Sequence, residues 1–315
     1  TVPSSTSSST PVPSQPVPSQ PEPPKKGAST ILGPMRIPFL ILTPVCVLVG
    51  AGTASYTGHS IDIVHLILVL LGATAAHVAV NALNEYHDFL SGLDYKTKKT
   101  PFSGGSGALP KLPEKGRHGL FVGVAALVVT LGIGGFFIFL RGFLLLPMGL
   151  LGILIVLTYT PWLTKRPILC LIAPGLGFGP AMVVGTHVAL AGEYSWAALV
   201  ASAVPFFLVS DLLLLNQFPD IEADRAVGRK HFPILLGPKT SAKIYAILLC
   251  GAYLAIVIGY LFGYLPIHSL IATFTLFLAF FTARGVLKSS HRIDELLPYM
   301  GMNVVLNLLT PLLVA

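Results

Sequence analysis

The strongest constraint on this chain is a set of seven long runs that contain no Asp, Glu, Lys or Arg. They cover 37–61, 63–84, 118–140, 142–164, 167–192, 244–283 and 296–315. About 20 apolar residues cross a bilayer as a helix. Six of the runs fit one crossing each, and the run 244–283 holds two, with a break near Gly263–Pro266. Residues 194–219 add another crossing, interrupted only by Asp211. The expected architecture is an all-α integral membrane protein with nine transmembrane helices. Composition agrees, with 53% hydrophobic and 10% charged residues, against about 25% charged in a soluble domain. Such a chain cannot cover a water-facing surface, and a soluble fold is excluded.

The three cysteines, Cys46, Cys170 and Cys250, all fall inside apolar runs. They read as packing residues, with neither metal spacing nor a disulfide framework. Residues 1–24 carry seven Ser and eight Pro, with Glu22 as the first charge. That composition buries too little apolar surface to offset its ordering entropy. Residues 1–30 are expected to form a disordered tail, and 31–315 the membrane domain.

The net charge of +7 reflects topology and not nucleic acid. Placed against nine crossings, 19 of the 20 Lys and Arg fall on the side of the N-terminal tail, and only Arg141 falls on the other. The positive-inside rule then puts the N-terminus in the cytoplasm and the C-terminus outside. Two of the cytoplasmic loops, about 92–117 and 222–240, are long and polar, and the chemistry is expected there or just beneath them.

The second crossing ends in Asn84-Glu85-Tyr86-His87-Asp88, and Asp94 follows Gly92. Asn84 and Asp88 are four residues apart and share a helix face. The sixth crossing ends in Asn216-Gln217-Phe218-Pro219-Asp220, with Asp224 four residues later. Asn216, Asp220 and Asp224 again share a face, and Pro219 should kink the helix or start a new one. The same Asn-x-x-x-Asp step thus recurs 132 residues later, each time at a cytoplasmic helix end. Mg²⁺ prefers oxygen ligands and often joins carboxylates to substrate phosphates. Lys96, Lys98 and Lys99 follow the first cluster, and Arg225, Arg229 and Lys230 follow the second. Carboxylates, a divalent metal and these cations together suit a diphosphate, and an apolar cavity beneath them would suit its lipid tail. The glycines of Ser103-Gly104-Gly105-Ser106-Gly107 would let backbone amides approach phosphate, although a plain flexible turn explains them as well.

Several other residues are candidates for the cavity. Asn81 lies three residues before Asn84 and is expected on the same wall. Asp211 sits deeper, and an acid inside the membrane is a functional candidate by default. It would position the acceptor or its proton, or else it is a helix–helix contact. Tyr86, Phe89, Tyr159 and Trp162 offer aromatic faces to a cation. His65, His77 and His187 lack ligand spacing and read as helix–helix contacts. His87 points away from the face of Asp88.

The paired motifs resemble those of the UbiA superfamily of intramembrane prenyltransferases. Asn84/Asp88/Asp94 with Asn216/Asp220/Asp224 is similar to the dihydroxynaphthoate (menaquinone-type) branch. So are Asp224-Arg225-Ala226-Val227-Gly228-Arg229-Lys230 with Leu235-Leu236-Gly237, and Gly185-Thr186 followed by Ser195-Trp196. The resemblance covers about 33–315. It implies nine helices bundled around a central cavity open to the cytoplasmic side, with two Mg²⁺ ions held by the six motif residues. It implies transfer of an isoprenoid from its diphosphate to an aromatic acceptor, with 1,4-dihydroxy-2-naphthoate favoured and other aromatic or lipid-alcohol acceptors open. The family's diphosphate-holding basic residues map to Arg36, Lys99 and Lys165, where the family's Tyr-x3-Lys appears with longer spacing from Tyr159. A transporter of a phosphorylated substrate and a non-catalytic lipid-binding scaffold are the competing readings. The transporter would hold its site near the bilayer midplane, whereas these clusters lie at helix ends.

Overall fold

The computed structural model describes residues 30–97 and 99–315. The expected tail lies outside the described residues except for Thr30, and Lys98 lies outside them too. Among the described residues the structure is helical with no strand. Nine main helices follow one another: α1 Leu42–Tyr56, α2 Ile63–Leu90, α3 Arg117–Arg141, α4 Leu146–Thr158, α5 Pro167–Ala191, α6 Trp196–Asn216, α7 Gly237–Leu261, α8 Ile267–Ser289 and α9 Ile293–Val314.

The ends of these helices follow from the sequence. Asp62 caps α2, its carboxylate accepting from the amides of Val64 and His65 at 2.8 and 2.9 Å, which satisfies donors that a helix start leaves free. Ser195 caps α6 in the same way through Ala197. Gly92, at φ +72°, closes α2. Pro219 cannot continue α6, so the chain restarts as the short helix Ile221–Ala226, as expected. The break between α7 and α8 falls at Gly263–Pro266, also as expected.

The count of apolar stretches comes close to the expected nine. Among the described residues, seven helical stretches are long and apolar enough to cross a membrane. An eighth is the pair Leu32–Phe39 and Leu42–Tyr56, bent by 55°. The difference arises because α3 and α4 run on as one 46-residue stretch, Pro113–Thr158. At 1.5 Å per residue that stretch measures about 70 Å, more than twice the roughly 30 Å hydrocarbon core. Gly142, at φ +73° and ψ −166°, divides it into α3 and the 13-residue α4.

The central helix is α6. Two-thirds of its apolar window is buried (67%), against at most 44% in any other stretch. It packs against α5, α7 and α9. The contact with α5 is tight because α5 carries small residues there. A Cβ built on Gly179 would sit 2.5 Å from the carbonyl oxygen of Ser202, the close approach that small residues permit between membrane helices. Over Gly177–Val184, next to that contact, α5 winds as a π-helix with Pro180 inside it. Proline removes backbone donors, and such bulges mark places where a helix deforms around a site. Here Gly177, Phe178 and Met182 turn to an interior cavity.

Gly179→Ala should therefore destabilise the bundle by about 1–3 kcal/mol, the usual cost of overpacking. Thermal unfolding in detergent would show it as a lower Tm, and an unchanged Tm would contradict the close approach of α5 and α6.

Candidate active site

All six motif residues line one cavity of about 280 Å³. Asn84 and Asp88 come from the last turns of α2, and Asp94 from the turn Leu93–Tyr95 beyond Gly92. Asn216 ends α6, and Asp220 and Asp224 flank and enter the short helix after Pro219. Below this polar end the wall turns apolar, with Leu42, Val80, Ile155, Met182, Leu213 and Leu308. An acidic rim over an apolar chamber can hold a charged head and an aliphatic tail in one ligand.

The two motifs are joined by Arg229. Its Nη2 donates to Asp88 Oδ1, and its Nη1 donates to Asp224 Oδ1 at 2.9 Å. Gly228 at φ +80° precedes Arg229, and the Arg229 amide returns to the Asp224 carbonyl. Burial opposes the charge on Arg229, but Asp88 and Asp224 outweigh it and hold the guanidinium above its ordinary pKa. Asp224 Oδ2 lies 2.9 Å from His231 Nε2, and Asp224 and His231 are both 2% exposed.

The remaining motif oxygens are less committed. Asp94 Oδ2, Asn216 Oδ1 and Asp220 Oδ1 are buried with no hydrogen-bond partner, while Asn84 donates to Thr160 Oγ1 at 3.0 Å. Burial, and then the charges of Glu85 and Asp88, push Asp94 up to about 7. Burial, and then Asp224, push Asp220 up to about 7. Buried oxygens without donors are costly, and a hard cation would satisfy them. Among the described residues no three His, Cys, Asp or Glu side chains converge as a ready-made metal cage. Mg²⁺ keeps several waters and takes one or two carboxylates together with substrate phosphates, and the unpartnered atoms Asp94 Oδ2, Asn216 Oδ1 and Asp220 Oδ1 are all oxygens. The donor set at the rim therefore fits the ion.

The expected cations divide into two groups. Arg36 and Arg229 line the cavity. Lys96, Lys99, Lys165, Arg225 and Lys230 are exposed and are not part of its wall. Lys99 still lies near Glu85 and Asp94, and partial burial lowers its pKa. Arg225 pairs with Glu222 at 3.6 Å. Asn81 and Tyr159 line the cavity, with the Asn81 amide donating to the Met35 carbonyl at 3.1 Å. Asp211 does not line it. That carboxylate is fully buried and accepts from Asn303 on α9 at 2.9 Å, which makes it a contact between two helices. Of the aromatic candidates only Tyr159 lines the chamber. Trp162 is 48% exposed beneath the Arg166 guanidinium, 4.9 Å from its centroid.

Three features escaped the sequence reading. Glu85, between two motif residues, is fully buried and accepts from Arg36 Nε at 2.8 Å. Its only signal was an acid beside Asn84. His231 carried no spacing signal at all. His77 is predicted from the sequence as a plain helix contact. It does bond Thr43 Oγ1 through Nδ1 at 2.8 Å, but it also lines the cavity. The glycine-rich loop was singled out, and Ser103, Gly104 and Gly105 do form part of the wall.

Comparison with known proteins accords with this geometry. The sequence pattern of the UbiA prenyltransferase family matches residues 43–305. The chain is 26% identical over 256 residues to the bacteriochlorophyll synthase 33 kDa chain of Cereibacter sphaeroides, covering 75% of this chain and 76% of that protein. It is 27% identical over 250 residues to the 1,4-dihydroxy-2-naphthoate octaprenyltransferase of Escherichia coli, covering 75% and 77%. Among solved structures, a UbiA homolog from Archaeoglobus fulgidus bound to DMAPP and Mg²⁺ shares the fold. Its TM-score is 0.62 at 16% identity, over 89% of this chain and 99% of that one. The same homolog bound to GPP and Mg²⁺ aligns equally well, at 17% identity.

The raised carboxyls give the site a pH signature. Below about pH 7, Asp94 and Asp220 hold protons that a bound cation must displace; above it they are free to ligate. Affinity for Mg²⁺ with an isoprenyl diphosphate should therefore weaken as pH falls from 8 to 6, by up to about tenfold per unit for each carboxyl that must ionise. Calorimetry in two buffers of different ionisation enthalpy should show protons released on binding. A pH-independent affinity would contradict this account.

Proposed function

The chain belongs to the UbiA prenyltransferase family, and we propose that it transfers an isoprenoid chain from its diphosphate to 1,4-dihydroxy-2-naphthoate. The observation that carries this reading is the meeting of both Asn/Asp motifs at the polar end of one cavity with apolar walls. The acceptor rests on the relatives from Escherichia coli and Bacillus subtilis, both named as 1,4-dihydroxy-2-naphthoate octaprenyltransferases. Asp211 supports an enzyme over a transporter, because this deep acid is tied to Asn303 and kept off the cavity wall.

Asn84, Asp88 and Asp94 on one side and Asn216, Asp220 and Asp224 on the other would hold the Mg²⁺, with one ion for each motif. When bound, the metal supplies charge neutralisation to the leaving diphosphate. The protein supplies the rest. Arg36 and Arg229 project cationic donors into the polar end and orient the diphosphate. The allylic C–O bond breaks, and its electron pair leaves with the diphosphate. The electron-rich ring of the acceptor attacks the allylic carbon, a C–C bond forms and the ring loses a proton. Leu42, Val80, Ile155 and Leu213 line the chamber and keep water from the cationic carbon. Tyr159 presents an aromatic face that favours positive charge. The clustering of Lys and Arg in the loops at this end supports an active site that faces the cytoplasm.

The direct test is turnover by the purified protein in detergent with Mg²⁺, geranylgeranyl diphosphate and a panel of acceptors, read by mass. Prenylated dihydroxynaphthoate is expected. Asp88→Asn and Asp220→Asn should each lower the rate at least about 100-fold, and EDTA should abolish it reversibly. Diphosphate release without a prenylated naphthoate would overturn the acceptor. Full activity in either variant would overturn the role of the motifs. For topology, a cysteine placed at Gly104 should react with impermeant reagents only from the cytoplasmic side, and labelling from outside would invert the arrangement.

A further inference from the structure

Glu85 is not part of the cavity wall, yet two separate segments of the chain converge on it. It sits on α2 between Asn84 and the Asp88 turn, fully buried and absent from the cavity wall. Its Oε1 accepts from Arg36 Nε at 2.8 Å and from the Ser106 amide at 2.6 Å. Its Oε2 accepts from Ser106 Oγ at 2.8 Å. Ser106 Oγ in turn accepts from the Ala108 amide at 3.1 Å, at the start of the short helix Ala108–Lys111. One carboxylate thus fixes the segment before α1 and the end of the glycine-rich loop to the helix that carries the first motif.

Arg36, and Gly105 just before Ser106, are held in unusual backbone conformations. Arg36 adopts φ +50°, and among the described residues it is the sole non-glycine with positive φ. Such strain persists only where surrounding contacts enforce it. Gly105 adopts φ +64°, and a Cβ there would sit 3.0 Å from both Glu85 Oε1 and Asp94 Oδ1. The loop backbone lies so close to the acidic side chains that a Cβ here would require them to shift.

The anchored groups face the substrate cavity. Arg36, Ser103, Gly104 and Gly105 all form part of its wall, and the Ser103 side chain reaches Asp220 of the second motif. Glu85 takes up Arg36 Nε, and the rest of the guanidinium remains at the cavity. A charge-assisted bond of this kind fixes the plane of the guanidinium.

We propose that Glu85 is the positioning residue of the diphosphate site, holding Arg36 and the loop Ser103–Gly105 in the geometry that receives the diphosphate without itself touching it. This rests on the prenyltransferase reading above. Losing the clamp leaves Arg36 free to change rotamer and lets the loop move from the wall. Its effect therefore falls on diphosphate affinity, while ring attack at the bound allylic carbon is unchanged.

The test uses the full-length protein in detergent. Equilibrium binding of geranylgeranyl diphosphate with Mg²⁺ is compared with limited proteolysis at Lys99 and Lys111 and with KM and kcat. Glu85→Gln should weaken diphosphate binding about tenfold and raise KM for the diphosphate alike. It should leave kcat within about threefold and speed cleavage at the loop lysines. Glu85→Asp keeps the charge but falls short of Ser106, so it should restore little. Combining Glu85→Gln with Arg36→Ala should cost less than the two losses summed, since both act through one contact. Should Glu85→Gln fail to fold, Ser106→Ala decides the matter, because it removes the hydroxyl bond without leaving a buried charge unpaired; it should weaken binding about threefold and speed loop cleavage. Wild-type affinity and wild-type proteolysis in whichever of these variants folds would overturn the positioning role. Absence of Mg²⁺-dependent diphosphate binding in the unmodified protein would instead overturn the reading on which the proposal rests.

Discussion

The site depends on one buried cation between two acids. Arg229 joins Asp88 at the end of α2 to Asp224 beyond the end of α6, and so ties together two helix ends supplied by distant parts of the chain. Asp88 and Asp224 are 5% and 2% exposed. Either carboxylate alone would carry a heavy desolvation cost, and removing one partner of such a group commonly costs about 3–5 kcal/mol. Their opposition across the cavity is therefore sustained by the arginine. Wherever a metal and a diphosphate enter, they meet acids already held within reach of one another.

The arrangement is possible because both helices stop where they do. Inside the membrane each backbone group must find a partner within its helix, so irregular chain collects at the ends. Gly92 ends α2 and turns Asp94 toward the cavity, and Pro219 ends α6 and lets Asp220 and Asp224 fold over it. The glycine-rich loop lies over the same end. In the deeper half of the bundle some polar groups pair between helices, as with Asp211 Oδ1 and Asn303, or Tyr245 donating to Asn303 Oδ1 at 2.9 Å, while Asp211 Oδ2 and Asn307 Oδ1 have no partner. Below its polar rim, the wall is thereby left mostly to apolar side chains suited to an isoprenoid.

Much of this was readable from the sequence, for identifiable reasons. Charge-free runs announce crossings because a bilayer excludes charge over about 20 residues. Asn84 and Asp88 announce a shared face because a helix repeats every 3.6 residues, whereas Asn216, Asp220 and Asp224 meet at the cavity although the helix ends at Asn216 and restarts at Ile221. Tertiary geometry stayed hidden. Arg225, Arg229 and Lys230 look alike in sequence, and only the turn at Gly228 sends Arg229 back between the carboxylates and leaves its neighbours exposed. The sequence leaves Asp211 open between a cavity acid and a helix contact because its partner lies 92 residues away. Glu85 sits one residue off the face of Asn84 and Asp88, and its partners come from the segment before α1 and from a loop.

The central claim is that two motifs from separate halves of the chain form a single diphosphate site. It is tested most directly by Mg²⁺-dependent binding of geranylgeranyl diphosphate to the unmodified protein, to Asp88→Asn and to Asp220→Asn, each shown to be folded by its thermal transition. Loss of binding on substitution in either motif alone is the expected result. Unimpaired binding after disabling one of them would show that the motifs act separately and would contradict the account.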